Sequence, residues 1–525
     1  MIALTLAQVA QAVGGRVDHG TGDELITGGV EFDSRKVGHG DLFVAIPGAR
    51  VDGHDFAQRA CDQGAVGVLA ARPVGVPAVI VPPAPDELGS GNSYATEHDS
   101  DGSVAAVIFA LGRLARAVLD RLDALTVIGV TGSAGKTSTK DIVATLCSQQ
   151  GPTIAPPGSF NNEIGHPYTA LQCDEETEFL VAEMSARGIG HVAHLATIAP
   201  PQIGVVLNVG TAHVGEFGSQ ENIAVAKGEL VEALPASGVA VLNADDPFVA
   251  AMASRTRARV CRFSARGPAD VWASDISVDA LSRPRFVLHA GEHEAEVQLQ
   301  IFGLHQVSNA VAAAAAALAA GVEFSDAATR LCEHRSASAH RMDVRTREHD
   351  QVVVIDDSYN ANPESMRAGL RSLVAMKKPE AHAIAVLGPM SELGENAAED
   401  HAEIARFAHE IGVSSLIVVG DNPNSLAVVE AASQCGVPTF SVSDTTEAAR
   451  IAQQIIEAGD VVLVKASNAF RLWTVAEAVL AGNPSEERKS HADGAEGDSQ
   501  SLSCACVGEK TVTNSSLSGN RKQDA

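Results

Sequence analysis

A lysine and a threonine can do phosphate chemistry when a strand and a glycine turn lead into them and a helix leads away. Residues 127–143, VIGVTGSAGKTSTKDIV, have that form. The small residues Thr131, Gly132, Ser133, Ala134 and Gly135 let the chain turn tightly, so successive backbone N–H groups can point at phosphate oxygens. The following helix, opening near Ser138, adds the positive end of its dipole. Lys136 would reach the outer phosphates of a nucleoside triphosphate and Thr137 a bound Mg²⁺. The spacing G-x-x-x-x-G-K-[ST] is not fully met, because Val130 stands where its first glycine would fall. Taken alone, the stretch also reads as a strand–turn–helix junction with an incidental lysine.

Other residues carry chemistry only in company. Glu183 in LVAEMSARG and His213 in LNVGTAHVGEFG each follow an apolar run. There a carboxylate can hold Mg²⁺ and an imidazole can orient water or complete a coordination shell. Singly, each reads as a cap or a locally satisfied loop residue, and Lys227 in IAVAKGEL as a solvated helix lysine. Two stretches are more specialised: DDSYNANPESM (356–366), with Pro363 placed to open a helix, and GSFNNEIGHP (158–167). Both read as polar contact loops or as Asn-rich turns.

The elements that must position these residues follow from apolar patterning. Strand-like runs LTVIGVTG, FLVAEMS, IGVVLNVG and GVAVLNADD alternate with helical stretches from about residue 124. The alternation restarts near 340 with QVVVIDDS, AIAVLGP, SLIVVG and VVLVKAS. Two α/β units with mostly parallel sheets are expected, with ligands at the carboxyl ends of the strands. Before them, short strands and an amphipathic N-terminal helix form a smaller unit, closed by a polar loop at 84–103. The expected division is an N-terminal domain 1–103, a central domain 104–338, a C-terminal domain 339–484 and a disordered tail 485–525.

Bulk properties exclude several classes. A formal net charge of −27 argues against a nucleic-acid groove, though local lysines and N–H groups can still hold anions. Eight scattered cysteines suit a reducing compartment. The N-terminus has no basic stretch of the signal-peptide kind, and NAVAAAAAALAAG (309–321) is too short to span a bilayer. The expectation is a cytoplasmic protein that enters no membrane.

Together these motifs resemble the Mur ligase family over roughly residues 3 to 480, in order. That family's phosphate loop has the form T-G-[ST]-x-G-K-[ST], which TGSAGKT fits without the missing glycine. The resemblance implies three α/β domains: a small N-terminal UDP-binding domain, a central P-loop ATPase domain with a mostly parallel sheet, and a C-terminal Rossmann-like domain. It places Ser34 and Arg35 of DSRKVGHGDLFVAIPG at the uridine nucleotide, and Asn161 and Asn162 at the muramoyl-peptide. It makes Glu183 and His213, with Thr137, the Mg²⁺ ligands, and makes Lys227 a lysine carbamylated by CO₂. Asn309 in GLHQVSNAV falls at the adenine, Arg341 in HRMDV at the ATP phosphates, and Asp357, with Tyr359 beside it, at the ribose. Lys465 and Ser467 of VLVKASNAF face the second substrate, where Ala466 and Asn468 replace a common Gly and Arg.

The implied activity is ATP-dependent ligation with Mg²⁺, by a monomer, of D-alanyl-D-alanine to UDP-N-acetylmuramoyl-tripeptide through an acyl phosphate, in cell-wall precursor synthesis. Lys136, Lys227, His213 and Arg341 would be catalytic. Two alternatives stand beside it: addition of the third amino acid to the dipeptide precursor, partly suggested by GDNPN (420–424), and a non-catalytic nucleotide-binding homologue.

Overall fold

The computed structural model describes residues 1–48, 51–85, 99–210, 214–391 and 393–482. His213, residues 86–98 of the expected loop and the expected tail lie outside the described residues.

Among the described residues four sheets form, and the apolar runs supply their middle strands. The largest has nine strands in the order His293–Gln298, Pro284–Ala290, Val271–Val278, Arg259–Ser264, Val239–Asn243, Ile203–Val206, Thr126–Thr131, Phe179–Glu183 and Thr153–Ile154. From Val271–Val278 to Thr153–Ile154 every pairing is parallel. The strands at its centre are buried on both faces, which is why they read as continuous apolar runs. The strand Thr126–Thr131 lies between strands reached in opposite directions along the chain, so the crevice at its carboxyl end is a switch point where ligands bind.

The hairpin strands Val271–Val278, Pro284–Ala290 and His293–Gln298 pair antiparallel and extend this sheet. The sequence reading did not resolve them. Their outer residues are exposed and their apolar residues alternate, so no continuous apolar run marks them.

A second sheet runs Asp343–Thr346, Val353–Asp356, Val461–Lys465, Ala383–Leu387, Ser415–Val419, Thr439–Val442, parallel except for its first pair. An N-terminal sheet of five strands, drawn from Arg16 to Ile80, is also parallel except at one edge. The expected N-terminal helix is Leu6–Val13, opened by a Thr5–Gln8 capping box. Pro363 does open a helix, Pro363–Met376, capped by Asn362.

The alanine run forms the helix Gln306–Ala319, with Ala310 to Ala317 fully buried. It lies between the helix Lys136–Cys147 and the central sheet. Small side chains let these layers approach closely, which fixes how near Asn309 comes to the glycine turn. No described helix is long and apolar enough to cross a membrane. Replacing Ala314 by Leu overfills this layer. It should cost about 1–3 kcal/mol, read as a lowered thermal unfolding midpoint.

Candidate active site

A cavity of about 660 Å³ opens at the carboxyl ends of the central strands, the size of a small-molecule site. Its walls come from the glycine turn, the 158–163 loop, Glu183, the start of the alanine helix, Arg341 and the 357–365 loop. The helix Ser103–Leu119 adds Ile108 and Phe109.

The turn is held open from beneath. Asn208, two residues past its strand, accepts from the Ala134 N–H (2.9 Å) and donates to the Ala134 carbonyl (3.1 Å). Its own carbonyl accepts from the Ser133 N–H, while the Ser133 hydroxyl accepts from the Gly210 N–H. Gly135 has φ +82°, and a Cβ there would collide with the Asn309 Oδ1, so only glycine fits. The helix Lys136–Cys147 then begins with first-turn N–H groups that have no intrahelical acceptor. Lys136 Nζ folds back onto the Gly132 carbonyl (2.8 Å).

A chain of hydrogen bonds crosses the cavity floor. Asn161 Nδ2 donates to Glu183 Oε1 (2.7 Å), and Thr137 Oγ1 donates to Glu183 Oε2 (2.8 Å). Thr137 Oγ1 also lies 2.9 Å from the Ser159 hydroxyl, which accepts from Arg341 (2.6 Å). The Arg341 guanidinium sits 4.3 Å from the Tyr359 ring centroid, and its buried Nε has no hydrogen-bond partner. Asn162 Oδ1 accepts from the Gly165 N–H and so turns the loop into the next helix.

The amines are electrostatically poised. Burial holds Lys136 below the usual lysine range; Glu183 opposes that shift and Arg341 adds to it. Lys227, on the helix Gln220–Glu232, is 4% exposed, contrary to its reading as a solvated lysine. Burial first, then repulsion from Lys136, pushes it well below the ordinary value. No described residue makes a hydrogen bond or ion pair with its amine. Glu229 of the same helix accepts from the Gly190 and Ala193 N–H groups and so anchors the neighbouring helix N-terminus.

The structure gathers most of the sequence-named residues, but not all. Ser133, Ala134, Gly135, Lys136, Thr137, Ser138, Asn161, Asn162, Glu183, Asn309, Arg341, Asp357, Tyr359 and Lys465 line the cavity. Thr131 does not: its hydroxyl donates inward to the Met184 carbonyl. Gly132 is likewise behind the wall, and Ser467 is spent on the Ser391 N–H. Ser34 is buried, and Arg35 points to solvent, paired with Asp33; neither lines the cavity. Lys465 is committed to Asp357 (2.5 Å) and the Asn360 carbonyl, while Asp357 Oδ1 accepts from the Met342 N–H. In GDNPN, Asn422 caps the helix Pro423–Cys435, which accounts for that stretch locally.

Sequence reasoning missed Asn208, Ser159 and Glu229. Ser159 lies in a stretch already read as a polar contact loop and Asn208 at the end of the strand-like run IGVVLNVG, but nothing in the residue types told a clamp from a turn.

His166 supports the 158–163 loop from below. Its ring N–H donates to the Leu195 carbonyl (3.1 Å), and burial lowers its pKa to about 4. The folded state keeps it neutral while the unfolded chain takes up a proton below about 6.5. Stability therefore falls as pH drops from about 6.5 to about 4, by on the order of 3 kcal/mol. His166→Gln keeps a donor without the titration and should flatten this part of the unfolding curve, measured by denaturant titration across that range.

Residues 130–317 match the Mur ligase middle domain, 340–468 the Mur ligase glutamate ligase domain, and 27–95 the Mur ligase family catalytic domain. The chain is 52% identical over 506 residues to the UDP-N-acetylmuramoyl-tripeptide–D-alanyl-D-alanine ligase of Mycobacterium tuberculosis, covering 92% of this chain and 98% of that one. It is 30% identical to the enzyme of that name from Escherichia coli, covering 91% and 99%. Among solved structures, MurF from Acinetobacter baumannii superposes with a TM-score of 0.77 at 27% identity, covering 91% and 99%. MurF ligase from Thermotoga maritima in complex with ADP gives 0.70 at 30%, covering 88% and 99%. With three successive domain matches and identity spread over nearly its whole length, the chain belongs to the Mur ligase family.

Proposed function

We propose that this chain joins D-alanyl-D-alanine to UDP-N-acetylmuramoyl-tripeptide at the expense of ATP, in the synthesis of the peptidoglycan precursor. The observation that carries the reading is the convergence in one cavity of the glycine turn with Lys136, the Thr137–Glu183 pair and Arg341. The relatives named above carry that activity in their names, and the Thermotoga maritima structure holds ADP.

A peptide carboxylate is a poor acyl donor. In the first step its oxygen attacks the γ-phosphorus of ATP, the bond to the bridging oxygen breaks, and ADP leaves. In the second, the dipeptide amine attacks the acyl carbon, phosphate leaves, and the amine gives up its proton. The first step brings two anions together, and the second builds negative charges on a tetrahedral centre. Lys136, the first-turn N–H groups and the Arg341 guanidinium, whose buried Nε is unpartnered, are the donors that neutralise them. The 357–365 loop, through Asp357 and Tyr359, and Asn309 across the cavity hold the nucleoside.

The residues present fit Mg²⁺. The Thr137 hydroxyl and the Glu183 carboxylate are hard oxygen donors held together at the cavity wall, with His213 assigned to complete the set. Among the described residues no cluster of three or more His, Cys, Asp or Glu forms. When bound, the ion offsets phosphate charge. Lys227 fits carbamylation because an amine with no partner among the described residues, its pKa pushed well below the usual lysine range by burial, is the more available as a nucleophile toward CO₂.

With ATP, Mg²⁺ and UDP-N-acetylmuramoyl-tripeptide, phosphate release should require D-alanyl-D-alanine. Release that instead requires UDP-N-acetylmuramoyl-dipeptide and a single amino acid would favour the third-residue ligase, and absence of release with either precursor and any amine the non-catalytic reading. Lys136→Ala should cut that turnover by about 10²–10³-fold, as for loss of one preorganised charge-stabilising donor. Lys227→Ala should lose activity and regain part of it when short carboxylic acids are added; no recovery at any concentration rules out the carbamate.

A further inference from the structure

The helix that starts at the glycine turn carries a second set of polar residues below the cavity. Thr137, Lys140, Asp141 and Thr145 are spaced so that they share one helical face. Only Thr137 among them touches the cavity. Lys140 is 1% exposed, pairs with the buried Asp141, and donates to the Pro156 carbonyl at 2.6 Å. Asp141 Oδ2 accepts from the Ser338 hydroxyl at 2.7 Å, and Thr145 Oγ1 lies 2.8 Å from His334 Nδ1.

Each contact reaches a segment that delivers a group to the site. Pro156 begins the loop that carries Ser159, Asn161 and Asn162. Ser338 lies three residues before Arg341, on the segment joining the alanine-helix region to the second sheet. Ser159 and Arg341 then bond to each other in front of Thr137. A closed circuit results: helix to Pro156 to Ser159, helix to Ser338 to Arg341, the two arms meeting at the site.

We propose that the buried Lys140–Asp141 pair positions the active site, with Lys140 setting the Ser159 arm and Asp141, through the Ser338 hydroxyl, setting the Arg341 arm. Such a pair contributes little net stability compared with apolar packing, but it dictates where both arms sit. The inference rests on the ligase reading of the cavity, and its test is partly independent of activity. Ser338→Ala in the full chain cuts the Arg341 arm while leaving Lys140, Asp141 and the glycine turn in place.

Two readouts follow. Amide hydrogen exchange across 335–342 should quicken by about tenfold, the effect of losing one hydrogen bond to a charged acceptor. The kcat for dipeptide-dependent phosphate release should fall by a similar factor with KM for ATP little changed. Ser338→Thr, which restores the hydroxyl, should recover both. Exchange at the wild-type rate, turnover within about twofold of wild type, or Ser338→Thr behaving as Ser338→Ala overturns the proposal. If the wild-type chain releases no dipeptide-dependent phosphate, the ligase reading fails, and the exchange measurement still decides whether the latch holds.

Discussion

Lys136 and Arg341 are like charges on the wall of one cavity, with the buried Lys227 amine close enough to feel Lys136, and the fold has to hold these groups against their repulsion. Burial depresses both lysines, repulsion from Arg341 adds to it at Lys136 and repulsion from Lys136 adds to it at Lys227, and Glu183 is the carboxylate that opposes the shift at Lys136. Such an arrangement favours an anion in the cavity, because a bound phosphate satisfies donors that the protein leaves short. Much of the surrounding structure follows from that need. The turn is pinned by Asn208 instead of closing on itself, Glu183 is pinned by Asn161 and Thr137, and Arg341 is pinned by Ser159 and Tyr359.

These pins come from distant parts of the chain, and the parallel sheet makes that possible. Register sets Glu183 beside Val130, at the start of the turn, and Val206 beside Thr131, which brings Asn208 under the loop. The carboxyl ends of neighbouring strands converge whatever their separation in sequence, so a mostly parallel architecture supplies many anchored loop starts on one edge. The second sheet contributes in the same way, with Asp357 and Lys465 at the ends of adjacent parallel strands.

The sequence was most legible where one physical demand dominated. Strands buried on both faces must be apolar throughout, so the central strands of both large sheets were visible, whereas the half-exposed hairpin Val271–Gln298 was not. The turn was visible because glycine is required where φ is positive and Asn309 presses close. Side-chain direction was much less legible. Thr131 and Ser467 are in the right segments yet turn away from the cavity, because a hydroxyl at a strand end is as easily spent on a neighbouring backbone group as on a ligand. The helix position of Lys227 could be read, but its burial depends on the layers packed over it.

Four lysines, three buried and Lys136 half-buried, show why residue type alone could not settle function. Lys465 donates to the Asp357 side chain, the Asp357 carbonyl and the Asn360 carbonyl, so its ammonium is fully partnered. Lys140 has Asp141 and the Pro156 carbonyl. Both are as deeply buried as any described lysine, and both serve to fix loops. Lys136 has one carbonyl, from its own loop, and Lys227 has no partner among the described residues. A buried ammonium without acceptors is costly, so a protein retains one only where something else meets the cost: a bound anion for Lys136, chemical conversion of the amine for Lys227. The difference between a structural lysine and a reactive one lies in the acceptors that surround it, and those range from a chain neighbour, as Asp141 is for Lys140, to residues more than 100 positions away, as Asp357 and Asn360 are for Lys465.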